Sequence, residues 1–121
     1  NRNAAAAYMN EALEGIDGLT TIKCPADQLP VWTYFPILID EAKFGMSRDA
    51  VMAALERRGI MTRKYYEACH LRTEYAAERV SLPVTERVAA QVIALPVYSD
   101  MTGSECDRIA SAVREIRSTG A

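Results

Sequence analysis

Apolar positions recur at helical spacing from the first residues onward. Ala5, Tyr8, Met9, Ala12, Leu13 and Ile16 share one face. Four successive alanines raise the helical propensity, and Gly15 and Gly18 supply the stop. The pattern is already running at residue 4 with no cap before it, which predicts the end of an interdomain helix over residues 1–16, begun upstream. A β-branched run then predicts a strand over 19–23, followed by a loop over 25–30. The segment 31–40, VWTYFPILID, is apolar at both parities and predicts a central or doubly covered strand. Within it, Pro36 has no N–H to give a ladder, so that point is expected to be a bulge or to pair on one side only.

Further along, Ser47 reads as a helix cap with Asp49 in the first turn. Val51, Met52 and Leu55 form the buried stripe, and Gly59 the left-handed stop after Arg57 and Arg58. Residues 60–63 read as a short extended piece, and 64–80 as polar and irregular. Pro83 starts a helix in which Val84, Val88, Val92 and Leu95 repeat until Pro96 turns the chain extended through Tyr98. Thr102 and Glu105 make a capping box, and Cys106, Ile109, Ala110, Val113 and Ile116 follow on one clean face. This order predicts an α+β two-layer sandwich, with a small, mostly antiparallel sheet and helices packed on one face.

Composition narrows the classes. One domain is expected from 121 residues, and at 13.4 kDa the folded surface should be near ~6,500 Å², about a third of the unfolded value. A net charge of −2 with no basic block argues against a nucleic-acid footprint, and no apolar run is long enough for a bilayer. The opening Asn1-Arg2-Asn3 is no signal peptide. It also lacks an initiator methionine, so a piece of something longer is expected. Three dispersed cysteines and one histidine fit neither a disulfide framework nor a zinc motif. They favour a cytoplasmic location and buried, unreactive thiols.

Candidate chemistry is sparse. Phosphate-binding glycine loops, nucleophile elbows and metalloprotease motifs are absent from the sequence. Cys69-His70 is adjacent in sequence, which on a strand turns the two side chains apart and disfavours thiol activation. A metal at His70 with Glu67 or Glu74 is equally weakly supported. The unusual segment is Met61-Thr62-Arg63-Lys64-Tyr65-Tyr66. There Arg63 offers a fork for phosphate or carboxylate, and a tyrosine hydroxyl a partner for a sugar oxygen. On residue chemistry alone, a plain surface loop explains it as well.

Taken in order, Tyr8…Leu13, Trp32-Thr33-Tyr34-Phe35-Pro36-Ile37, Arg48-Asp49, Arg58-Gly59-Ile60, Thr62 to Tyr66 with His70, Leu82-Pro83-Val84-Thr85-Glu86-Arg87, Leu95-Pro96-Val97-Tyr98 and Cys106 to Ile116 resemble the C-terminal small domain of the DegT-type nucleotide-sugar aminotransferases. The resemblance covers nearly all of 1–121. It implies the small domain of the aspartate-aminotransferase fold and the cofactor pyridoxal phosphate. It implies an amino group moved, usually from glutamate, to a nucleotide-linked keto sugar, by a homodimer. The R-K-Y-Y form is similar to the branch acting on dTDP-linked keto-6-deoxysugars. The family's catalytic lysine and cofactor contacts belong to its N-terminal large domain. None of Lys23, Lys43 and Lys64 has that lysine's context, so this chain alone is expected to be inactive, with no catalytic and no cofactor-binding residue.

The resemblance makes Arg63, Tyr65, Tyr66, Thr62 and His70 candidates for facing substrate, Arg63 and Tyr65 foremost, while Trp32 and Tyr34 read as packing. Two other classes compete. One is a stand-alone interaction module that presents Tyr8, Met9 and the loop tyrosines to a partner. The other is a small enzyme built on Cys69 or His70.

Overall fold

Alternation in F-P-I-L-I organises the sheet. Phe35, Ile37 and Ile39 are buried on one face, and Pro36 and Leu38 half-buried on the other. The computed structural model describes residues 1–78 and 80–121. In chain order its elements are α1 (Arg2–Ala12), β1 (Leu19–Thr21), β2 (Phe35–Ile39), α2 (Glu41–Phe44), α3 (Arg48–Arg57), α4 (Pro83–Gln91), β3 (Val92–Leu95) and α5 (Gly103–Thr119). Short 3-10 helices at Cys69–Leu71 and Thr73–Glu78 punctuate the stretch before α4. The irregular reading of that stretch at Arg79 lies outside the described residues.

The sheet is antiparallel throughout, in the order β1-β2-β3. On its inner face Phe35, Ile37, Ile39, Ile93 and Leu95 join Met9 and Leu13 from the first segment, Val51 and Leu55 from α3, and Ile109, Val113 and Ile116 from α5 in one core. Each such side chain contributes about 1.5–3 kcal/mol by leaving water. The three long helices thus cover one face, as the pattern predicts. The fourth, α4, flanks the outer face and has no buried residue.

The expected caps are in place. Ser47 Oγ accepts from Ala50 N–H at 3.2 Å. Thr102 and Glu105 satisfy one another's orphan N–H groups, the reciprocal box that lowers the cost of starting α5. At the start of α1, Asn1 Oδ1 accepts from Asn3 N–H at 2.9 Å. Residues 13–16 leave the helix, yet Leu13 and Ile16 stay in the core.

Four expectations need correction. The helix begun at Pro83 ends at Gln91, and Val92–Leu95 is a strand. All four of its side chains are buried, because Ile93 and Leu95 face the core while Val92 and Ala94 face outward beneath other groups. A strand buried on both faces is a continuous apolar run, and its spacing cannot be told from a helix. Secondly, the central strand is shorter than 31–40. Thr33 N–H bonds back to Val31 C=O at 2.9 Å, bending the chain before Phe35 and leaving Val31 exposed. Thirdly, only Cys106 is buried, whereas Cys24 and Cys69 lie at the surface. Lastly, Met9 is a core residue with no exposed surface and offers nothing to a partner.

Pro36 sits as expected, with pairing on one side. It lies opposite Ala94, whose N–H and C=O both turn away to Arg63 (2.8 and 3.1 Å). β1 stops at Thr21 opposite Ile37, so no neighbour asks Pro36 for an N–H. The short helix α2 has no counterpart in the apolar pattern. Asp40 caps it by accepting from Ala42 N–H, and Gly45 ends it at φ +92°.

Candidate functional site

Beyond α3 the chain runs extended along the free edge of β3. Arg63 pairs with Ala94 there as a single antiparallel bridge, and cross-strand partners project to the same face. Arg63 therefore shares the outer face with Ala94 and Pro36. Alternation turns Thr62 and Lys64 the opposite way, toward α3. They border a shallow hollow with Asp49 and Met52, and Lys64 Nζ lies 3.0 Å from Asp49 Oδ1. Lys64 and Arg48 together hold the Asp49 carboxyl below the usual carboxylate range.

The outer face of the sheet is the floor of an apolar groove of about 620 Å³. Pro36, Leu38 and Val92 form the floor. Val84, Val88 and Ala89 of α4 form one wall, and Tyr65, Tyr66 and Ala68 the other. The Tyr65 ring meets Tyr34 edge-on, with centroids 5.7 Å apart and planes at 80°, a favoured aromatic geometry. Burial, reinforced by Tyr34, pushes the Tyr65 hydroxyl above its ordinary value, so it stays a neutral donor. Tyr66 is 87% exposed at the rim. Arg63 has no carboxylate partner among the described residues, as is also true of Arg2, Arg57, Arg87, Arg108 and Arg114.

His70 is placed differently. Its side chain is only 9% exposed. A carboxylate only accepts, so Nε2–H donates to Glu86 Oε1, at 2.9 Å. The same oxygen accepts from Leu82 N–H at 3.2 Å. These two donors, His70 first, hold the Glu86 carboxyl below its usual range. The ring is committed to Glu86 rather than to the exposed Cys69 thiol, and Glu67 and Glu74 are not its partners. Among the described residues no three His, Cys, Asp or Glu side chains converge as a metal site.

Of the five residues singled out in the sequence, Tyr65 and Tyr66 thus line one groove and Arg63 lies on the same face. Thr62 is on the opposite side, and His70 is tied to α4. Trp32 packs on Phe35 with centroids 5.5 Å apart, as its packing role requires, while Tyr34 supports Tyr65. The wall made by α4 escaped the sequence reading. Val84 and Val88 carried the signal, but their repeat merged with Val92 and Leu95.

An open, three-stranded antiparallel sheet with its long helices on one face is the small-domain architecture of aminotransferases, and comparison with known proteins agrees. The family model of the DegT/DnrJ/EryC1/StrS aminotransferases matches residues 1–114, so the chain belongs to that family. It superposes on DesI, solved in the presence of its TDP-sugar product, with a TM-score of 0.89 at 30% identity, over 98% of this chain and 31% of DesI. S. venezuelae DesV, solved in complex with a ketimine intermediate, gives 0.84 at 32% identity, over 96% and 31%. The aminotransferase TlmJ from Streptoalloteichus hindustanus gives 0.85 at 26%, over 99% and 32%. The chain spans about a third of the length of these relatives.

Pyridoxal phosphate needs a lysine amine for its aldehyde and donors for its phosphate. The residues of this chain do not meet that need. Lys23, Lys43 and Lys64 are exposed, Lys23 and Lys64 are paired with Glu14 and Asp49, and no cation lines the groove.

Proposed function

We propose that this chain is the C-terminal small domain of a pyridoxal-phosphate aminotransferase that moves an amino group, from glutamate, onto a nucleotide-linked keto-deoxysugar. The observation that carries the reading is the family match over residues 1–114 together with the likeness to DesI and DesV. In this reading the N-terminal large domain of the same polypeptide supplies the lysine and the cofactor contacts, and the chain alone is inactive. The enzyme is a cytoplasmic homodimer. The domain closes one side of the substrate cleft. Arg63 forks onto the diphosphate, and Tyr65 and Tyr66 shape and dry the space beside the sugar.

Surface supports the reading too. The folded chain exposes 7660 Å², above the ~6,500 Å² expected of a self-sufficient monomer of this mass. Large apolar side chains stand in that surface, among them Leu29 at 91% and Val31 at 83% exposure. Such a surface marks a docking face. The same exposure favours a second reading, a stand-alone interaction module on the same fold.

Expression of the complete native gene separates the two. A protein about three times this size, with a visible absorption band that borohydride shifts, supports the aminotransferase. In that protein Arg63→Ala should raise the KM for a dTDP-keto-deoxysugar while leaving the glutamate half-reaction intact. A colourless product near 13.4 kDa would sink the reading and favour the module.

A further inference from the structure

Among the described residues, little holds the chain between Glu67 and Ser81. Its backbone bonds are local, from Leu71 to Ala68, Arg72 to Cys69 and Tyr75 to Arg72. The side-chain bonds of Arg72 and Thr73 both end on Glu74. Among the described residues a single hydrogen bond leaves this stretch for another element, the one from His70 to Glu86. The ring is shielded while its neighbours Cys69 and Leu71 are exposed. α4 in turn starts at Leu82 without a side-chain cap, and Glu86 ties that first turn together from inside by accepting from Leu82 N–H. One carboxylate oxygen therefore joins both walls of the groove, the helix carrying Val84 and Val88 and the stretch that continues from Tyr65, Tyr66 and Ala68.

We propose that His70 and Glu86 are a positioning pair that fixes the spacing of the groove walls and so sets where Tyr65 and Tyr66 stand, without touching substrate. The identity of the groove's occupant rests on the preceding proposal, whereas the pair itself does not. The bond is charge-assisted and partly withdrawn from water, and no second bond replaces it. Without it, among the described residues, the stretch keeps the burial of Ala68, beside the Tyr65–Tyr34 contact that precedes it.

The test is hydrogen exchange resolved by peptide on the full chain, in His70→Ala, Glu86→Ala, the double variant and His70→Gln, which keeps an N–H donor. Loss of a hydrogen bond to a charged group should lower protection of amides in residues 67–82 by roughly 10- to 100-fold. Amides of β2 and α5 should keep wild-type protection. The double variant should be no worse than the worse single, and His70→Gln should regain most of the protection. In the active enzyme, the KM for the nucleotide sugar should rise in His70→Ala with kcat nearly unchanged, and recover in His70→Gln. Unchanged exchange in His70→Ala, additive singles, or equal loss in β2 and α5 would each overturn the proposal. So would faster exchange with an unmoved KM. A protein without nucleotide-sugar aminotransfer would overturn the preceding reading instead, and the exchange pattern would still decide the pair.

Discussion

Gly18 is where the backbone tolerates least. It stands at φ +79° between α1 and β1, and its C=O accepts from Asp40 N–H at 2.8 Å. A Cβ placed on it would overlap Phe44 N outright and lie 2.6 Å from Phe44 Cα and 2.8 Å from the Lys43 carbonyl carbon. All three are backbone atoms of α2, so no rotamer relieves the clash. Reaching ordinary contact near ~3.5 Å moves Phe44 by about 1 Å, and Phe44 is a core residue. Gly15 is the control, because it has nearly the same φ, +77°, with nothing within 4 Å of an added Cβ.

Alanine at Gly15 should cost only the left-handed backbone term of ~1–2 kcal/mol, less the ~0.4–1 kcal/mol that alanine removes from unfolded-state entropy. Alanine at Gly18 adds about half of the ~3–5 kcal/mol that loss of a buried phenylalanine costs, and about 1 kcal/mol for the Asp40 bond. The totals are about 1 and about 4 kcal/mol. At ~2.1 cal/mol/K per residue over 121 residues, each kcal/mol moves Tm by about 4 °C, so the shifts should be near ~4 and ~16 °C. Circular-dichroism melts of both variants decide it. A Gly18→Ala melt within about 4 °C of Gly15→Ala would refute the packing argument.

Three further outcomes follow from other contacts. Arg48 Nη1 donates to Ala89 C=O at 3.0 Å and Val92 C=O at 2.9 Å where α4 becomes β3, so Arg48→Met should cost about 2–3 kcal/mol in urea denaturation, and an unchanged midpoint would count against it. Asp49, Glu86 and Glu105 are all held below their ordinary values by hydrogen-bond donors. A depressed folded-state value means that the unfolded chain binds more protons, so this stability is present above about pH 4.5 and is lost as pH falls through the lower folded values. A Glu105→Gln variant should show a flatter acid limb in melts across that range. With 5,5′-dithiobis(2-nitrobenzoate), Cys24 and Cys69 should react promptly, whereas Cys106, buried and with its thiol pushed up by burial, should react only on unfolding. Three fast thiols would contradict the packing of α5.

Of the residues with unusual local chemistry in the sequence, Tyr65 and Tyr66 line the groove and Arg63 lies on the same side of the sheet without lining it. His70 was visible as the single histidine, but its partner lies sixteen positions away and no periodicity links the two. Thr62 is adjacent to Arg63 in sequence, and strand alternation alone turns it to the other side.

Some features depend only on neighbouring residues. Ser47, the Thr102–Glu105 box, the Gly59 stop and the apolar stripe of α5 are of this kind, because a cap bonds within three residues and a stripe repeats each turn. The sequence determined these by itself, along with the α+β class and the long helices of the inner face. The tertiary structure decided where α4 ends. Val92-Ile93-Ala94-Leu95 suits a helix as well as a strand until β2 offers its ladder, Arg48 binds the Ala89 and Val92 carbonyls at the junction, and the Arg63 backbone occupies the far edge. Those partners lie some thirty to sixty residues away along the chain, and a pattern read along the chain carries no information about which distant backbone will be there to pair.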